Sequence, residues 1–319
     1  MRQSCSKIYA RQTGENTRNY PRCYGCSLPR METMKLVLSR KGFDSVYGGV
    51  PSPILPDGRL CYLPIPGDNG NSTCCFSDIQ RTDYDLANIV FDLTRGRLSG
   101  DNWVHLDPDL RKEDLPRSRG WRPCFGQASV AQAHLDNMGV GPGDLFLFFG
   151  WFRKAECRSG KWRYVPNAPD LHVIFGWLEI AKKLVGTDII ETAPVWAQYH
   201  PHVHFSRDYH DNNTLIVGTS DLGMLGRKDL AGGGLFPRHQ PILQLSDGEL
   251  GRSTWRLPSC FAPRSGAPLL SYHTDEKRWK RSGDEWLLRV VGRGQEFILD
   301  LDHYPGVYNW LAKVFRYTK

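Results

Sequence analysis

Short runs of apolar and aromatic residues, separated by Gly, Pro, Asp or Asn, recur along most of the chain. They are densest between residues 143 and 217, which contain GDLFLFFGWFR, DLHVIFGWLEI, YHPHVHF and NNTLIVG in that order. Runs of this kind, rich in aromatic and β-branched residues, are typical of strands in an antiparallel sheet or barrel. We therefore predict strands over 145–149, 171–180 and 214–217, with the histidine run on an extended segment beside them.

The remaining periodicity predicts more strands and a few helices. Apolar or alternating runs predict further strands at 35–38, 60–65, 103–110, 286–291 and 296–301. Apolar residues spaced by three or four positions predict helices within 77–95, 126–138 and 310–317. The second helix would carry Val130, His134 and Met138 on one face. The expected fold class is α+β, with a mixed, mainly antiparallel sheet or a partly open β-barrel and a few flanking helices.

Residues 1–33 differ in composition from the rest of the chain. They lack hydrophobic periodicity and are rich in Arg, Ser, Asn and Gly, which is typical of a disordered segment. We therefore divide the chain into a disordered basic extension, residues 1–33, and a single domain, residues 34–319. Within the extension, Cys23 and Cys26 have the spacing of half a zinc site, but no second pair at ligand spacing completes it.

Composition and charge narrow the class of protein. Of the 319 residues 40% are hydrophobic, enough for a substantial core, and no apolar run approaches the ~20 residues that span a bilayer. Nine cysteines in no regular framework, without an apolar secretory signal, favour free thiols and a cytoplasmic location. The formal net charge of +7, of which +4 lies in residues 1–33, suits either an anionic partner or simple solubility.

The first candidate site is the loop after the first predicted strand. Ser39, Arg40, Lys41 and Asp44 lie in it, and a stretch rich in Gly and Pro follows at 48–53. A strand followed by a Gly-rich polar loop can place backbone N–H groups and basic side chains beside an anion. The spacing matches neither a P-loop nor a dinucleotide-binding fingerprint. The alternative is a turn whose charged side chains face water.

The histidine run forms the second candidate site. His200, His202 and His204 alternate, so on an extended chain their side chains would project from one face, as metal ligands or as acid–base groups. The run lacks the spacing of an HExxH or 2-His-1-carboxylate site. We therefore assign no metal, and name these three histidines as the candidate ligands if one binds.

Other polar side chains could join the site from neighbouring segments. His105, Asp107 and Asp109 lie at a short predicted strand, where they are either site residues or turn caps. Gln127 and His134 lie on the predicted helix 126–138, where they either point into a cleft or belong to the surface or core.

One segment resembles a known type of barrel. Residues 143–180 run from Gly-Asp through an apolar strand and a basic loop to a strand ending in Gly-Trp-Leu-Glu-Ile. This order resembles barrels of the PUA, ASCH and EVE type, which hold a nucleobase or nucleic acid. The resemblance implies that part of the sheet is PUA-like.

A set of motifs spanning most of residues 34–319 carries a second resemblance. The motifs are MKLVLSRKGFDSVYGGVPSPILPDGRLCYLPIP, VHLDPDL, FGQASVAQAHL, GVGPGDLFLFFGWFR, HVIFGWLEI, YHPHVHF and GQEFILD. Together they resemble the nucleotide modification associated domain family, third type. That family is associated with genes for modified DNA bases in phages and bacteria, which implies a role in making or handling hypermodified nucleotides. The resemblance implies no particular reaction, and the cofactor is unknown.

We therefore expect an enzyme that modifies a DNA base or nucleotide by group transfer or a related step. Ser39, Arg40 and Lys41 would hold a phosphate or pyrophosphate. Either Asp44 or Asp107 would act as base or orienting group, and either His200 or His202 as general acid–base. The residues expected to hold the rest of the substrate are Gln127, His134, Phe149, Trp151 and Trp177.

Two other functions fit the same residues. The first is a non-catalytic, PUA-like reader of modified or flipped bases, in which Arg40 and Lys41 contact phosphates and the histidines are structural. The second is a subunit that supports another base-modification enzyme. The expected partners are thus a nucleotide or DNA, or other modification enzymes, and no membrane.

Overall fold

The computed structural model describes residues 34–318 except 69, 83 and 293. The predicted extension, with Cys23 and Cys26, lies outside the described residues. The described strands are β1 (Lys35–Arg40), β2 (Ser52–Ile54), β3 (Cys74–Cys75), β4 (Trp103–Val104), β5 (Cys124–Gln127), β6 (Leu145–Arg158), β7 (Lys161–Tyr164), β8 (Leu171–Val185), β9 (Thr214–Gly218), β10 (Gly233–Leu235), β11 (Ser246–Asp247), β12 (Gly251–Pro258), β13 (Trp279–Ser282), β14 (Glu285–Arg289) and β15 (Glu296–Asp300).

The helices are fewer and shorter than the strands. The α-helices of the described residues are α1 (Leu86–Leu93), α2 (Ser129–Asn137), α3 (Ile189–Thr192), α4 (Pro201–His204) and α5 (Gly306–Val314). Short 3-10 helices lie at Phe76–Asp78, Lys112–Asp114, Val195–Ala197, Ser206–Asp208, Gly223–Leu225, Pro241–Leu243, Ser259–Phe261, Glu276–Arg278 and Phe315–Tyr317. Within this part of the chain, no helix has the length and apolar character needed to cross a membrane.

Sheet dominates the fold and confirms the predicted α+β class. The largest sheet has the order β15-β1-β6-β8-β9-β5, with β10 beside β8 and with β2 and β7 beside the far half of β6. Strands β1 and β2 run parallel to β6, and the other pairs of this sheet are antiparallel. Across the described residues this sheet does not close into a barrel. The architecture is therefore an open, mainly antiparallel sheet.

Strands β1, β6 and β8 form the centre of the sheet because their sequences are apolar on both sides. Residues 36–39, 145–150 and 171–180 are buried without interruption. Such continuous runs are expected where other elements cover both faces of a sheet. The strands predicted at 35–38, 145–149, 171–180 and 214–217 are confirmed, and β6 and β8 extend beyond the predicted bounds.

The C-terminal region contributes a second, antiparallel sheet with the order β11-β12-β14-β13. The strands predicted at 286–291 and 296–301 are confirmed, but they lie in different sheets, because β14 pairs with β12 and β13 whereas β15 pairs with β1. Trp255 on β12 is fully buried, and its ring lies 5.1 Å from that of Phe149 and 5.7 Å from that of Phe297. These aromatic contacts join the two sheets into one core.

The strand predicted at 60–65 is wrong. Leu60 makes only an isolated antiparallel bridge with Ile54, and the ordered strand is the shorter β2, which pairs with β6. The Pro56-Asp57-Gly58-Arg59 turn still reverses the chain between these bridged residues. Without a continuous partner strand, residues 61–65 form no ladder of their own.

Helix α2 differs from the prediction in its start and in its buried face. It begins at Ser129 because 124–127 forms β5 and pairs with β9. Its buried side chains are Gln132 and Leu135, whereas Val130, on the face predicted to carry Val130, His134 and Met138, is 79% exposed.

The histidine run is helical, which corrects the extended segment predicted there. Pro201 occupies the first turn of α4, where its fixed φ favours a helix and its missing N–H costs nothing. The Nδ1 atom of His200 caps this turn by accepting from the backbone N–H of His202 at 3.3 Å. Within this turn His202 and His204 point to different sides. His202 is buried, as is His200 at the cap, and His204 is exposed.

Candidate functional site

A cavity of about 150 Å³ lies where the end of β1, the end of β5 and helix α4 meet. Segments that are far apart in the chain supply its walls. Its lining residues are Arg40, Lys41, Gly42, Asp44, Tyr47, Ile65, His105, Asp107, Gly126, Gln127, His202 and Gln295. The loop after β1 and the histidine run, predicted as separate candidate sites, therefore share one cavity.

The loop after β1 is held in a defined shape by its own backbone and by Asp44. The Oδ1 atom of Asp44 accepts from the backbone N–H groups of Val46 and Tyr47, both at 2.7 Å. Gly48 has φ of +82°, and a Cβ there would lie 2.2 Å from the ring of buried Phe43. Glycine is therefore required for the loop to close over Phe43.

Arg40 and Lys41 are both at the cavity but differ in their partners. The Nζ atom of Lys41 lies 3.0 Å from Oε1 of Glu296, which is 1% exposed, and 4.4 Å from the centre of the Phe125 ring. The half-buried Arg40 guanidinium makes no hydrogen bond or ion pair with the described residues. Burial lowers the pKa of Arg40, and the nearby Asp44 carboxylate opposes that shift. Arg40 is thus the cation available to an anionic ligand.

Glu296 also fixes the position of Gln127. The Gln127 side-chain amide donates to Glu296 Oε1 at 2.6 Å, so this one oxygen accepts from both the amide and the Lys41 ammonium. The second carboxylate oxygen of Glu296 is buried and has no hydrogen-bond partner among the described residues. Glu296 therefore neutralises Lys41 and orients a polar group at the cavity wall.

Three side chains meet at one side of the cavity. His105, Asp107 and His202 each offer a ligand atom, and these atoms lie within 4.8 Å of one another. Asp107 is held by the backbone N–H of Gly126, which donates to its Oδ1 atom at 2.7 Å. A Cβ at Gly126 would lie only 2.1 Å from Cδ2 of His202. The absence of a side chain at 126 thus makes room for the imidazole.

Hydrogen bonds to the two imidazoles define which ring nitrogen carries the proton. Asn213 Nδ2 donates to the backbone carbonyl of His202 at 2.8 Å, which turns Asn213 Oδ1 toward Nδ1 of the same histidine at 2.7 Å. An amide oxygen only accepts, so this Nδ1 donates. The Nδ1 atom of His105 likewise faces a backbone carbonyl, that of Asn71, at 3.2 Å. In the neutral state both rings keep an unprotonated Nε2.

His200 lies behind the triad rather than in it. Because its Nδ1 accepts from the backbone N–H of His202, its proton is on Nε2, which lies 3.4 Å from Oδ1 of Asp107. Burial raises the pKa of Asp107, but the facing imidazole outweighs that effect and the pKa falls to about 2. Burial lowers the pKa of His202 to about 3, despite the nearby carboxylate. At neutral pH the site therefore holds an ionised Asp107 and a neutral His202.

The structure brings together six of the residues predicted from sequence. These residues, which line the cavity directly, are Arg40, Lys41, Asp44, Asp107, Gln127 and His202. His200 contacts Asp107 from behind. Asp109 instead belongs to a buried network, where it accepts from Arg117 at 2.6 Å and from the Tyr199 hydroxyl.

Other predicted residues lie outside the cavity. Ser39 is fully buried on β1, and His204 is exposed. His134 on α2 lies 3.2 Å from the Ser271 hydroxyl.

The aromatic candidates also lie in other environments. Trp177 packs in the core and donates its indole N–H to the carbonyl of Ala231 at 3.1 Å. Trp151 lies under the Arg252 guanidinium at 4.1 Å, and Phe149 is a core residue. The side chains expected to grip a base therefore do not line this cavity.

Sequence reasoning missed several residues at the site. His105 was considered but not selected, and the roles of Gly126, Asn213 and Glu296 were not seen. The available signal was the pair His105-x-Asp107, because a histidine two residues from a carboxylate supplies two ligands of a 2-His-1-carboxylate set. The histidine run at 200–204 lacks this pattern.

A larger cavity of about 680 Å³ shares no lining residue with this one. Its walls include Arg59, Arg122 and Trp121, and it contains no histidine. The smaller cavity is the better candidate because titratable groups and an available guanidinium converge there.

Fold and cavity together define a mixed α+β protein with a pocket in which the Arg40 side chain lies near the buried Asp107 and His202. The chain belongs to the nucleotide modification associated domain 3 family, whose model matches residues 35–300. No curated protein and no solved structure shows a significant match to the chain. The family resemblance inferred from the motifs is thereby confirmed, and it connects the protein with nucleotide modification.

Proposed function

We propose that the 150 Å³ cavity is the active site of an enzyme that modifies a nucleotide or a DNA base. The observation that carries this proposal is the convergence of Arg40, Asp107 and His202 on one cavity from three distant segments. Family membership, which connects the chain with nucleotide modification, supports this choice of substrate class. Groups that serve only as surface charge have no reason to converge on a shared buried wall.

Arg40 is the proposed anchor for a phosphate of the substrate. Its guanidinium can bind phosphate oxygens with two parallel hydrogen bonds, and the described residues do not already engage it. Lys41 has a different role in this proposal, because its charge is matched by Glu296 at 3.0 Å. It positions Glu296 and Gln127, and the Gln127 amide faces the substrate.

Asp107 and His202 would act on the substrate as bases or ligands. With a pKa of about 2 for Asp107 and about 3 for His202, neither acts as a general acid at neutral pH, since the one proton left on His202 is the Nδ1–H that donates to Asn213. His200 is a positioning residue in this proposal, since it contacts Asp107 and caps α4.

Substitution of Arg40 tests the proposal. We expect Arg40→Ala to abolish the change in nucleoside mass profile that the wild-type gene produces in cellular DNA and nucleotide pools. The protein should keep its circular dichroism spectrum, because the Arg40 side chain makes no hydrogen bond or ion pair within the part of the chain that the structure describes. Arg119→Ala, which removes an exposed arginine outside the cavity, is the matched control and should leave the mass profile unchanged.

Two outcomes would contradict this function. One is a full mass change in cells carrying Arg40→Ala. The other is salt-sensitive binding of modified DNA by the wild-type protein with no mass change attributable to the gene, which is the behaviour of a non-catalytic reader.

A further inference from the structure

We propose that His105, Asp107 and His202 bind one divalent transition-metal ion, such as Fe(II), at the wall of this cavity. Two imidazoles and one carboxylate form the ligand set of the 2-His-1-carboxylate facial triad. Here the three ligand atoms already lie within 4.8 Å of one another. The histidine run itself does not supply the set, since only His202 of that run takes part.

The surroundings of the two histidines match those of metal ligands. A ligating histidine usually donates its other ring N–H to a carbonyl or carboxylate, which fixes the tautomer and the ring orientation. His202 donates from Nδ1 to Asn213 at 2.7 Å, and His105 faces the carbonyl of Asn71 at 3.2 Å. In each ring this leaves the lone pair of Nε2 available to an ion.

The carboxylate of Asp107 is also held in position by neighbouring groups. Its Oδ1 atom accepts from the N–H of Gly126 at 2.7 Å and lies 3.4 Å from Nε2 of His200. These contacts hold the carboxylate without neutralising it, because neither partner is a fixed cation such as Arg or Lys. Among the described residues no Arg or Lys pairs with this buried carboxylate, so a bound metal ion would supply a positive charge that these residues do not.

The spacing of the ligand atoms suits a single ion. Neighbouring ligand atoms around an ion at about 2.1 Å are roughly 3 Å apart, and the three atoms here lie within 4.8 Å of one another. Rotation of the Asp107 carboxylate and small tilts of the imidazoles would close any remaining gap. The 2.7 Å hydrogen bond from His202 to Asn213 limits how far that ring moves.

Three protein ligands leave other coordination positions open toward the cavity. Arg40 lines the same cavity, so a ligand could bind the ion with one group while its anionic group binds the guanidinium. This role in chemistry rests on the proposed function, whereas binding of the ion depends only on the three side chains.

Cobalt titration of the full chain tests the site. The protein carries Cys23→Ser and Cys26→Ser, so that the Cys23-x-x-Cys26 pair cannot contribute. We expect one equivalent of Co(II) to bind, with visible d–d absorption and without the near-ultraviolet bands of cobalt–thiolate bonds. Zn(II) should displace it, and Fe(II) should compete for the site only in excess, because N and O ligands bind Fe(II) more weakly than Co(II).

Variants decide whether the assigned residues hold the ion. His202→Ala and the nearly isosteric Asp107→Asn should each weaken Co(II) binding by roughly 100-fold or more, because each removes or discharges one of the three ligands. The matched control is His204→Ala, two residues from His202 and exposed, which should bind Co(II) like the parent. Circular dichroism of each variant checks that it is folded.

The site is overturned if the parent protein binds no Co(II) at millimolar concentration. It is also overturned if folded Asp107→Asn binds as tightly as the parent, or if His204→Ala loses the ion. The failure of the proposed function gives a different pattern, in which Co(II) binds as expected while the gene changes no nucleoside mass.

Discussion

Replacement of Gly126 by alanine tests how closely the site is packed. A Cβ at this position would lie 2.1 Å from Cδ2 and 2.2 Å from Cγ of His202. Carbon atoms in contact are about 3.5 Å apart, so the imidazole must move by roughly 1.4 Å. The atoms that the methyl group meets belong to the ring itself, which cannot bend away as a flexible chain end could.

The cost of this movement follows from what holds the ring. A shift of that size breaks the 2.7 Å hydrogen bond from His202 to Asn213, which is worth about 1 kcal/mol. Overpacking of a buried position adds about 1–3 kcal/mol. We therefore expect Gly126→Ala to lower the free energy of unfolding by about 2–4 kcal/mol and to weaken Co(II) binding by roughly tenfold or more.

Urea unfolding, followed by tryptophan fluorescence, measures the change in stability. Gly141→Ala is the control, since a Cβ there would meet no atom within 4 Å, and its effect should stay within about 0.5 kcal/mol. In a His202→Ala background the clash is gone, so the same Gly126→Ala change should cost less than about 1 kcal/mol.

Equal costs of Gly126→Ala in the two backgrounds would refute this reasoning. The alanine would then act through the backbone rather than through the imidazole. Unchanged Co(II) affinity in Gly126→Ala would likewise show that the position of the His202 ring does not matter for binding the ion.

Two further predictions concern a buried ion pair and the support of the site. Asp114→Asn should lower the free energy of unfolding by about 3–5 kcal/mol, because it leaves the Arg81 guanidinium, with a side chain only 2% exposed, without its counter-charge. Asp57, the exposed ion-pair partner of Arg59, provides the control. Asp57→Asn should lower the free energy of unfolding by at most about 1 kcal/mol in the same urea experiment. Equal losses for the two variants would contradict the role of burial. Asn213→Ala should weaken Co(II) binding by roughly 10–100-fold while all three ligands remain, and a titration curve identical to that of the parent would show that Asn213 does not orient His202.

The central strands could be predicted from sequence because their signal is local. Residues 36–39, 145–150 and 171–180 are buried runs whose apolar character is visible along a few consecutive positions. The loop after β1 was also recognised as a candidate site, since Arg40 and Lys41 follow directly on a strand. The different partners of these two side chains could not be foreseen, because Glu296 reaches Lys41 from a distant strand.

Local signals also misled where neighbouring chemistry competed with them. The alternation of histidines at 200–204 suggested an extended chain, but Pro201 and the His200 cap favour a helical turn. Glycine and glutamine at 126 and 127 looked like the start of a helix, yet pairing with β9 makes them the end of a strand.

The sequence by itself determined the sheet-rich fold, its central strands and the family to which the chain belongs. Only the tertiary structure decided that His105 and Asp107 meet His202, and that Arg40 rather than Lys41 is available to an anion. The physical reason is that strand and helix patterns arise between residues a few positions apart. The site arises from contacts between segments distant in the chain, which strand pairing and core packing bring together.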